Sequence, residues 1–185
     1  MLNVLERLNA GRPPTPKLDG CCSICPLADL SCDVRRSPLN SYRTRKWDAA
    51  TKTGDPVFTD SSGNLVTDMQ KLQEKYAPYV GSSQLEDVKF QLASPYWAQN
   101  WKDLPPLMLL SADEDVTVDD AVDIAKKAIA AGVEVDLCVW PRMFHCWQCY
   151  TEGRDKNGKK TEPWVEAVES IRHIGVYFQR LAERE

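Results

Sequence analysis

The sequence predicts an α/β fold in which strands alternate with helices around a parallel sheet. Two apolar strands, at 104–110 and 133–140, flank a helical segment that begins near Thr117 and ends at Gly132. Short connections between strand, helix and strand indicate a βαβ unit, which implies two parallel strands joined by a right-handed crossover. A third apolar run, at 20–26, lies between turn residues and predicts another buried strand.

Composition restricts the classes of protein that this chain can belong to. Its 185 residues, 43% of them hydrophobic and 27% charged, suffice for one globular domain with a buried core. The net charge of −4, without any long basic run, argues against a nucleic-acid partner. No apolar run is long enough for a membrane span, and the charged amino-terminal segment is unlike a signal peptide. We therefore expect a soluble cytoplasmic protein, although a missing amino terminus would hide a signal.

The first half of the chain has weaker structural signals than the second. Residues 3–10 have helical spacing, and Gly11 with the prolines behind it ends that helix. Residues 33–93 read as a long excursion of loops and helix between strands, with one helix predicted over 68–78.

Two amphipathic helices are predicted in the second half. Thr117 is expected to cap the first helix, whose first turn holds Asp119 and Asp120, where the helix dipole favours acids. The second is expected over 163–183. The residues predicted to face the core are Val118, Val122, Ala125 and Ile129 in the first helix, and Trp164, Val168, Ile171, Phe178 and Leu181 in the second.

Chemically useful side chains follow two of the predicted strands. Asp113 and Asp115 come after the strand at 104–110, and His145 comes after the strand at 133–140. Since ligands of open α/β sheets bind beyond the carboxyl ends of the strands, a carboxylate and a histidine there can meet. The carboxylate would orient the imidazole and stabilise its charged form during base catalysis. The plain alternatives are solvated capping acids and a packed histidine; His173, inside a helix, is interpreted as a surface or packing residue.

Seven cysteines without a signal peptide indicate free thiols in a reducing compartment. The pairs Cys22–Cys25 and Cys146–Cys149 together have the ligand count of a zinc site. Alternate residues of a strand point to opposite faces, however, which is a poor chelating geometry for the first pair. The sequence therefore predicts no metal site, and a small zinc- or thiol-dependent module is the least favoured of three interpretations.

Five segments resemble one family: Cys25-Pro-Leu-Ala-Asp29, Ser94-Pro-Tyr96, Leu104-Pro-Pro-Leu107, Ala131-Gly-Val133 and Met143-Phe-His145. Together they resemble the carboxyl-terminal half of the α/β-hydrolase fold-3 carboxylesterases, the hormone-sensitive-lipase-like branch. The resemblance implies a single, incomplete α/β-hydrolase domain over 1–185, with about three parallel strands. It matches Asp115 to the catalytic acid and His145 to the catalytic base, with Asp113 as a fallback acid. Arg142 stands where the family has glycine, a residue that tolerates positive φ better than arginine does.

The nucleophile expected by this resemblance is missing from the sequence. A serine esterase of this fold needs a Gly-x-Ser-x-Gly turn and a glycine-rich oxyanion loop, and neither is present. Gly81-Ser-Ser83 comes nearest, but Leu85 stands where the second glycine should be. In the family register Met1 falls within the helix after the nucleophile, so we expect a truncated chain that is inactive alone. Cys22 or Cys25 could replace the serine only if it left the strand for a turn.

The leading hypothesis is therefore part of a serine carboxylic-ester hydrolase whose small-molecule ester is bound by the complete enzyme. Acyl transfer by this route uses side chains and backbone donors, so no cofactor is implied. The alternative is a degenerate hydrolase that acts as a binding module. A flat, unpaired strand edge, which we expect at the strand over 21–27, would favour self-association or capture of another partner.

Overall fold

The structure is a computed structural model that describes residues 18–29, 48, 50–51, 53–57, 94–152, 162 and 164–184. The predicted helices at 3–10 and 68–78, and most of the predicted excursion at 33–93, lie outside these residues.

The described strands form one parallel sheet, as the sequence predicted. Strand β1 is Cys21–Ile24, β2 is Leu107–Ala112 and β3 is Val135–Trp140, and they lie in the order β1-β2-β3. In the register Cys21 is opposite Leu107, which is in turn opposite Val135. The predicted strand at 104–110 begins later than expected because Pro105 and Pro106 have no N–H to donate to a ladder. The α/β class is confirmed.

Two α-helices and two short 3-10 helices complete the described structure. Helix α1 is Val118–Ala130 and connects β2 to β3, whereas α2 is Val165–Ala182. The 3-10 helices are Pro95–Trp97 and Trp147–Glu152. Gly132, just beyond α1, has a φ of 83°, a left-handed conformation that glycine adopts without strain. Along the described ranges, no helix is both long and apolar enough to cross a membrane.

Every residue of β2 is buried, and a layer of the core lies on each face of this strand. Successive strand residues point to opposite faces, so Leu107 and Leu109 face one layer and Met108 and Leu110 the other. The first layer is closed by Ile124, Ala125 and Ala128 of α1, and the second by Trp147, Ala167, Tyr177 and Leu181. Cover on both faces is the usual requirement of a parallel sheet.

The predicted buried face of α1 was partly wrong. Val118 and Ala125 are buried as predicted, but Ile129 is 59% exposed, and the helix also packs through Ala121, Ile124 and Ala128. Thr117 precedes the helix but its side chain makes no capping hydrogen bond. Its hydroxyl donates to the buried Asp115 carboxylate at 2.8 Å, a charge-assisted hydrogen bond.

The predicted buried face of α2 was also wrong, except for Leu181. The helix packs on the sheet through small residues, Ala167 and Ser170, and through Tyr177, whose hydroxyl donates to the Pro106 carbonyl at 2.7 Å. Small side chains let the helix approach the sheet closely. The larger apolar residues therefore lie on a neighbouring stripe, which we call the α2 stripe: Val168, Ile171 and Phe178, between 36% and 46% exposed. Trp164, also predicted to face inward, is 40% exposed.

Gly20, just before β1, is tightly packed against α2. A Cβ atom there would overlap Leu181 Cδ1 and approach the Tyr177 hydroxyl to 3.0 Å. We predict that Gly20→Ala lowers the free energy of unfolding by about 1–3 kcal/mol through overpacking. The matched control is Gly175→Ala within α2, where a Cβ meets nothing within 4 Å. That control should raise stability by about 0.5–1 kcal/mol. Equal denaturation midpoints for the two variants would contradict the prediction.

Candidate active site

The structure brings Asp115 and His145 together at the carboxyl end of the sheet. Asp115 follows β2 and is fully buried. Its Oδ1 accepts the N–H of Thr117 at 2.7 Å and the hydroxyl of the same residue at 2.8 Å. Nδ1 of His145 lies 3.1 Å from Asp115 Oδ2 and 3.2 Å from Oδ1. A carboxylate held in this way can fix the tautomer and the orientation of the imidazole ring.

Backbone hydrogen bonds fasten the loop after β3 to the loop after β2. Asp113 Oδ1 accepts the N–H of Arg142 at 2.6 Å. The N–H of Glu114 donates to the Met143 carbonyl at 3.1 Å, and the N–H of Asp113 donates to the Trp140 carbonyl at the same distance. Asp113 thus binds the histidine loop, while Asp115 contacts the imidazole.

The histidine loop has a strained residue where the sequence analysis expected one. Arg142 has a φ of 59°, in the left-handed region that favours glycine. Its N–H is the group held by Asp113, so the aspartate keeps the arginine backbone in this conformation. The positive φ that the resemblance implied is present, and the loop tolerates arginine there through this contact.

The charge state of His145 depends on two opposing effects. Burial disfavours the imidazolium, but hydrogen bonds with Asp115 and Cys146 outweigh burial and raise the pKa of His145 to about 10. Hydrogen bonds with Cys25 and His145 lower the pKa of the Cys146 thiol to about 5. The hydrogen bond with Cys146, together with burial, raises the pKa of Cys25.

Asp55 is a site residue that the sequence analysis missed. It is fully buried and its Oδ2 accepts the N–H of Val116 at 3.1 Å. Oxygens of Asp55 and Asp115 and a ring nitrogen of His145 lie within 4.8 Å of one another. Burial raises the pKa of Asp55 to about 6. The sequence showed only a turn, Gly54-Asp55-Pro56, and a turn does not reveal which distant loop it will contact.

Asp120 has a structural role beyond the dipole effect expected of it. It is fully buried in α1, and its Oδ2 accepts the N–H of Ala28 at 2.8 Å and that of Asp29 at 3.1 Å. Asp29 in turn accepts the Trp97 indole N–H at 3.1 Å. The loop after β1 is thereby attached to the start of the helix that follows the acid loop.

Of the remaining candidates, His173 and Cys22 lie apart from the Asp115–His145 contact, whereas Cys25 lies beside His145. His173 is exposed on α2, with Nε2 3.3 Å from Cys138 Sγ, as a surface or packing residue would be. Cys22 lies in β1, opposite Met108. Cys25 was predicted to lie along the strand, but β1 ends at Ile24 and Cys25 has a φ of 44°.

Comparisons with known proteins identify the family to which the fold belongs. The family described as the alpha/beta hydrolase fold matches residues 2–149. The chain belongs to this family. This α/β hydrolase is 31% identical over 146 residues to an acetyl-hydrolase of Streptomyces hygroscopicus, covering 79% of the chain and 40% of the relative.

Solved structures that resemble this chain also belong to longer proteins, of which it covers about half. EstE5 soaked with p-nitrophenyl butyrate superposes with a TM-score of 0.67 at 26% identity, over 97% of this chain and 48% of EstE5. A hormone-sensitive lipase from a metagenome library gives a TM-score of 0.60 at 26% identity, over 92% of this chain and 46% of the lipase. The chain is thus a partial α/β hydrolase, esterase-like, that spans about half the length of these relatives.

The strain at Arg142 can be measured directly. We predict that Arg142→Gly stabilises the protein by about 1 kcal/mol relative to Arg142→Ala, because alanine keeps the steric cost of positive φ and glycine removes it. Both variants delete the same charged side chain, so only the backbone preference differs. Chemical denaturation of the two variants measures the difference. Greater stability of the alanine variant would show that the backbone there is unstrained.

The effect of Asp115 on His145 can be measured by NMR in protein dialysed against EDTA. The raised pKa keeps the imidazolium populated through neutral pH, whereas Asp115→Asn removes the charge that stabilises it. We therefore expect the midpoint of the His145 titration to fall by at least about one pH unit, towards its ordinary value of about 6.5. Asp113→Asn is the matched control, since Asp113 binds the Arg142 N–H. An unchanged midpoint in Asp115→Asn would contradict the prediction.

Proposed function

We propose that this chain contributes the acid and the base of a serine carboxylic-ester hydrolase. His145 is the general base, and Asp115 is the acid that orients it. The serine and the oxyanion donors are proposed to come from outside the 185 residues, in a region equivalent to the part of the relatives that the chain does not match. The observation that carries the proposal is the contact of 3.1 Å between His145 Nδ1 and the buried Asp115 carboxylate.

The chemistry of each group follows from its position. With Nδ1 directed at Asp115, the other ring nitrogen accepts the proton of the serine hydroxyl while the serine oxygen attacks the ester carbonyl carbon. The imidazolium formed is stabilised by Asp115 and then returns its proton to the departing alkoxide, leaving an acyl-enzyme. Water, deprotonated by the same imidazole, then attacks the acyl carbon, which releases the carboxylic acid product and regenerates the serine hydroxyl.

Several further observations support these assignments. The His145 side chain is 15% exposed whereas that of Asp115 is not exposed, so the base is the member of the pair that a substrate could reach. The Asp113–Arg142 hydrogen bond holds the histidine loop against the acid loop. Relatives named as an acetyl-hydrolase and as a structure soaked with p-nitrophenyl butyrate favour simple carboxylic esters as the substrate class.

The proposal is tested by supplying the missing region. The chain is co-expressed with the amino-terminal part of the Streptomyces acetyl-hydrolase that precedes the matched segment, and p-nitrophenyl acetate hydrolysis is measured on the purified complex. We expect negligible turnover by either part alone and turnover by the complex. His145→Ala and Asp115→Asn should lower kcat by about 1,000-fold or more. Because the pKa of His145 lies above neutral pH, the activity should increase towards alkaline pH.

A matched control separates chemistry from folding in this experiment. His173→Ala changes the other histidine, which lies outside the Asp115–His145 contact, and should retain full activity. An assembled complex without turnover, or turnover that survives His145→Ala, would refute the assignment.

A binding module without catalysis is the second candidate function. In the described part of the sheet β1 pairs only with β2, and its Ile24 is 39% exposed. The α2 stripe is a second exposed apolar surface. An edge strand beside such a surface favours association with another chain, including a second copy of this one. Assembly that persists in His145→Ala, with no ester hydrolysis in any complex, would favour this function.

A further inference from the structure

Two cysteines that are distant in sequence meet beside the candidate base. Cys25 follows the end of β1, and Cys146 directly follows His145. The N–H of Cys146 donates to Cys25 Sγ at 3.2 Å. The φ of Cys25 is 44° and that of Cys146 is 56°, so both backbones adopt a conformation that is unusual for cysteine. These turns direct one thiol from each Cys-x-x-Cys pair into the same place.

The two sulfurs and the imidazole form a set of three metal donors. Cys25 Sγ, Cys146 Sγ and a ring nitrogen of His145 all lie within 4.8 Å of one another. Tetrahedral zinc, with Zn–S near 2.3 Å and Zn–N near 2.1 Å, needs donor–donor separations of about 3.5–3.8 Å. Small side-chain rotations could therefore close this set around one ion.

The surroundings of the three donors also match a zinc site. Histidines that bind zinc commonly use one ring nitrogen for the metal and the other for a carboxylate, which orients the ring. His145 already makes that contact with Asp115 through Nδ1. The Cys146 N–H that donates to Cys25 Sγ would stabilise negative charge on the sulfur.

We propose that Cys25, His145 and Cys146 bind one zinc ion, with Asp115 orienting the histidine and the fourth position of the metal open. On binding, the His145 imidazolium and any thiol that is still protonated lose their protons to solvent, so that the ligands are one neutral imidazole and two thiolates. Zinc would also occupy the imidazole nitrogen that accepts the serine proton. The ion would then inhibit hydrolysis, a consequence that rests on the proposed function; the binding itself does not.

The other cysteines of the two pairs take no part in the proposed site. Cys22 lies within β1 and Cys149 is exposed, and neither is among the donors that meet within 4.8 Å. The proposed site thus takes one thiol from each Cys-x-x-Cys pair, together with His145, in place of the four thiols that the two pairs would supply. A rival cluster of Asp136, Cys138 and His173 lies on β3 and α2, with Cys138 Sγ 3.3 Å from His173 Nε2.

The test uses cobalt(II) as a spectroscopic substitute for zinc in the reduced, EDTA-dialysed full chain. We expect one cobalt ion per chain, with tetrahedral visible bands and a thiolate-to-cobalt charge-transfer band that zinc abolishes by displacement. Cys25→Ser and Cys146→Ser should each remove about half of the charge-transfer intensity and weaken cobalt binding by about tenfold or more. Asp115→Asn should weaken it by about 10- to 100-fold through loss of the orienting contact.

Cys149→Ser and Cys138→Ser are the matched controls and should bind cobalt as the unsubstituted chain does. The proposal is overturned if the unsubstituted chain gives no charge-transfer band, or if Cys138→Ser or Cys149→Ser weakens binding as much as Cys146→Ser. If Cys25→Ser does not fold, cobalt binding by His145→Gln and by Cys146→Ser decides the question, because both residues lie in a loop. No step measures ester hydrolysis, so failure of the metal site and failure of the esterase proposal are distinguishable.

Discussion

The buried carboxylate of Asp115 holds together the parts of the molecule on which the candidate site depends. It follows β2, the central strand, and accepts two hydrogen bonds from Thr117 at the start of α1. The same carboxylate contacts His145, which follows β3. An ionised group without exposure has to be surrounded by donors, because the free-energy cost of an unpaired buried charge is large. The strand ends, the helix start and the histidine loop are positioned by meeting that requirement.

Other acids organise the same edge of the sheet through backbone N–H groups. Asp120 fastens the loop after β1, Asp113 the loop after β3, and Asp55 the backbone between Asp115 and Thr117. Removing the acceptor of Asp120 or Asp55 leaves a buried N–H unsatisfied, at a cost of about 1–3 kcal/mol. Loops that would otherwise vary in position are thus fastened to the rigid sheet. The contact of Cys146 with Cys25 adds sulfur to this network beside the same histidine.

Two exposed apolar surfaces of the described residues concern the association of this chain with another chain. The chain spans about half of the solved relatives, and within the described residues β1 has an unpaired edge while the α2 stripe is uncovered. Apolar surface of this kind gains free energy when another surface covers it. The proposed serine chemistry depends on assembly with a complementary region, and that assembly would use such a surface. The alternative binding function would use it too. The state of His145, free or bound to zinc, would then decide whether an assembled site can act as a base.

The sequence by itself determined the α/β class, the βαβ unit and the end of its helix at Gly132, because these depend on local periodicity and on turn residues such as glycine. The start of β2 at Leu107 and the end of β1 at Ile24 differ from the predicted strands. The sequence also determined that Asp115 and His145 follow adjacent strands, since parallel strands end at one edge. Only the tertiary structure decided which faces of α1 and α2 are buried: both helices pack through small residues, and periodicity alone does not distinguish neighbouring apolar stripes. Long-range contacts of Asp55, Asp120 and Cys25 were likewise beyond the sequence, because a buried hydrogen bond depends on which loops meet in space.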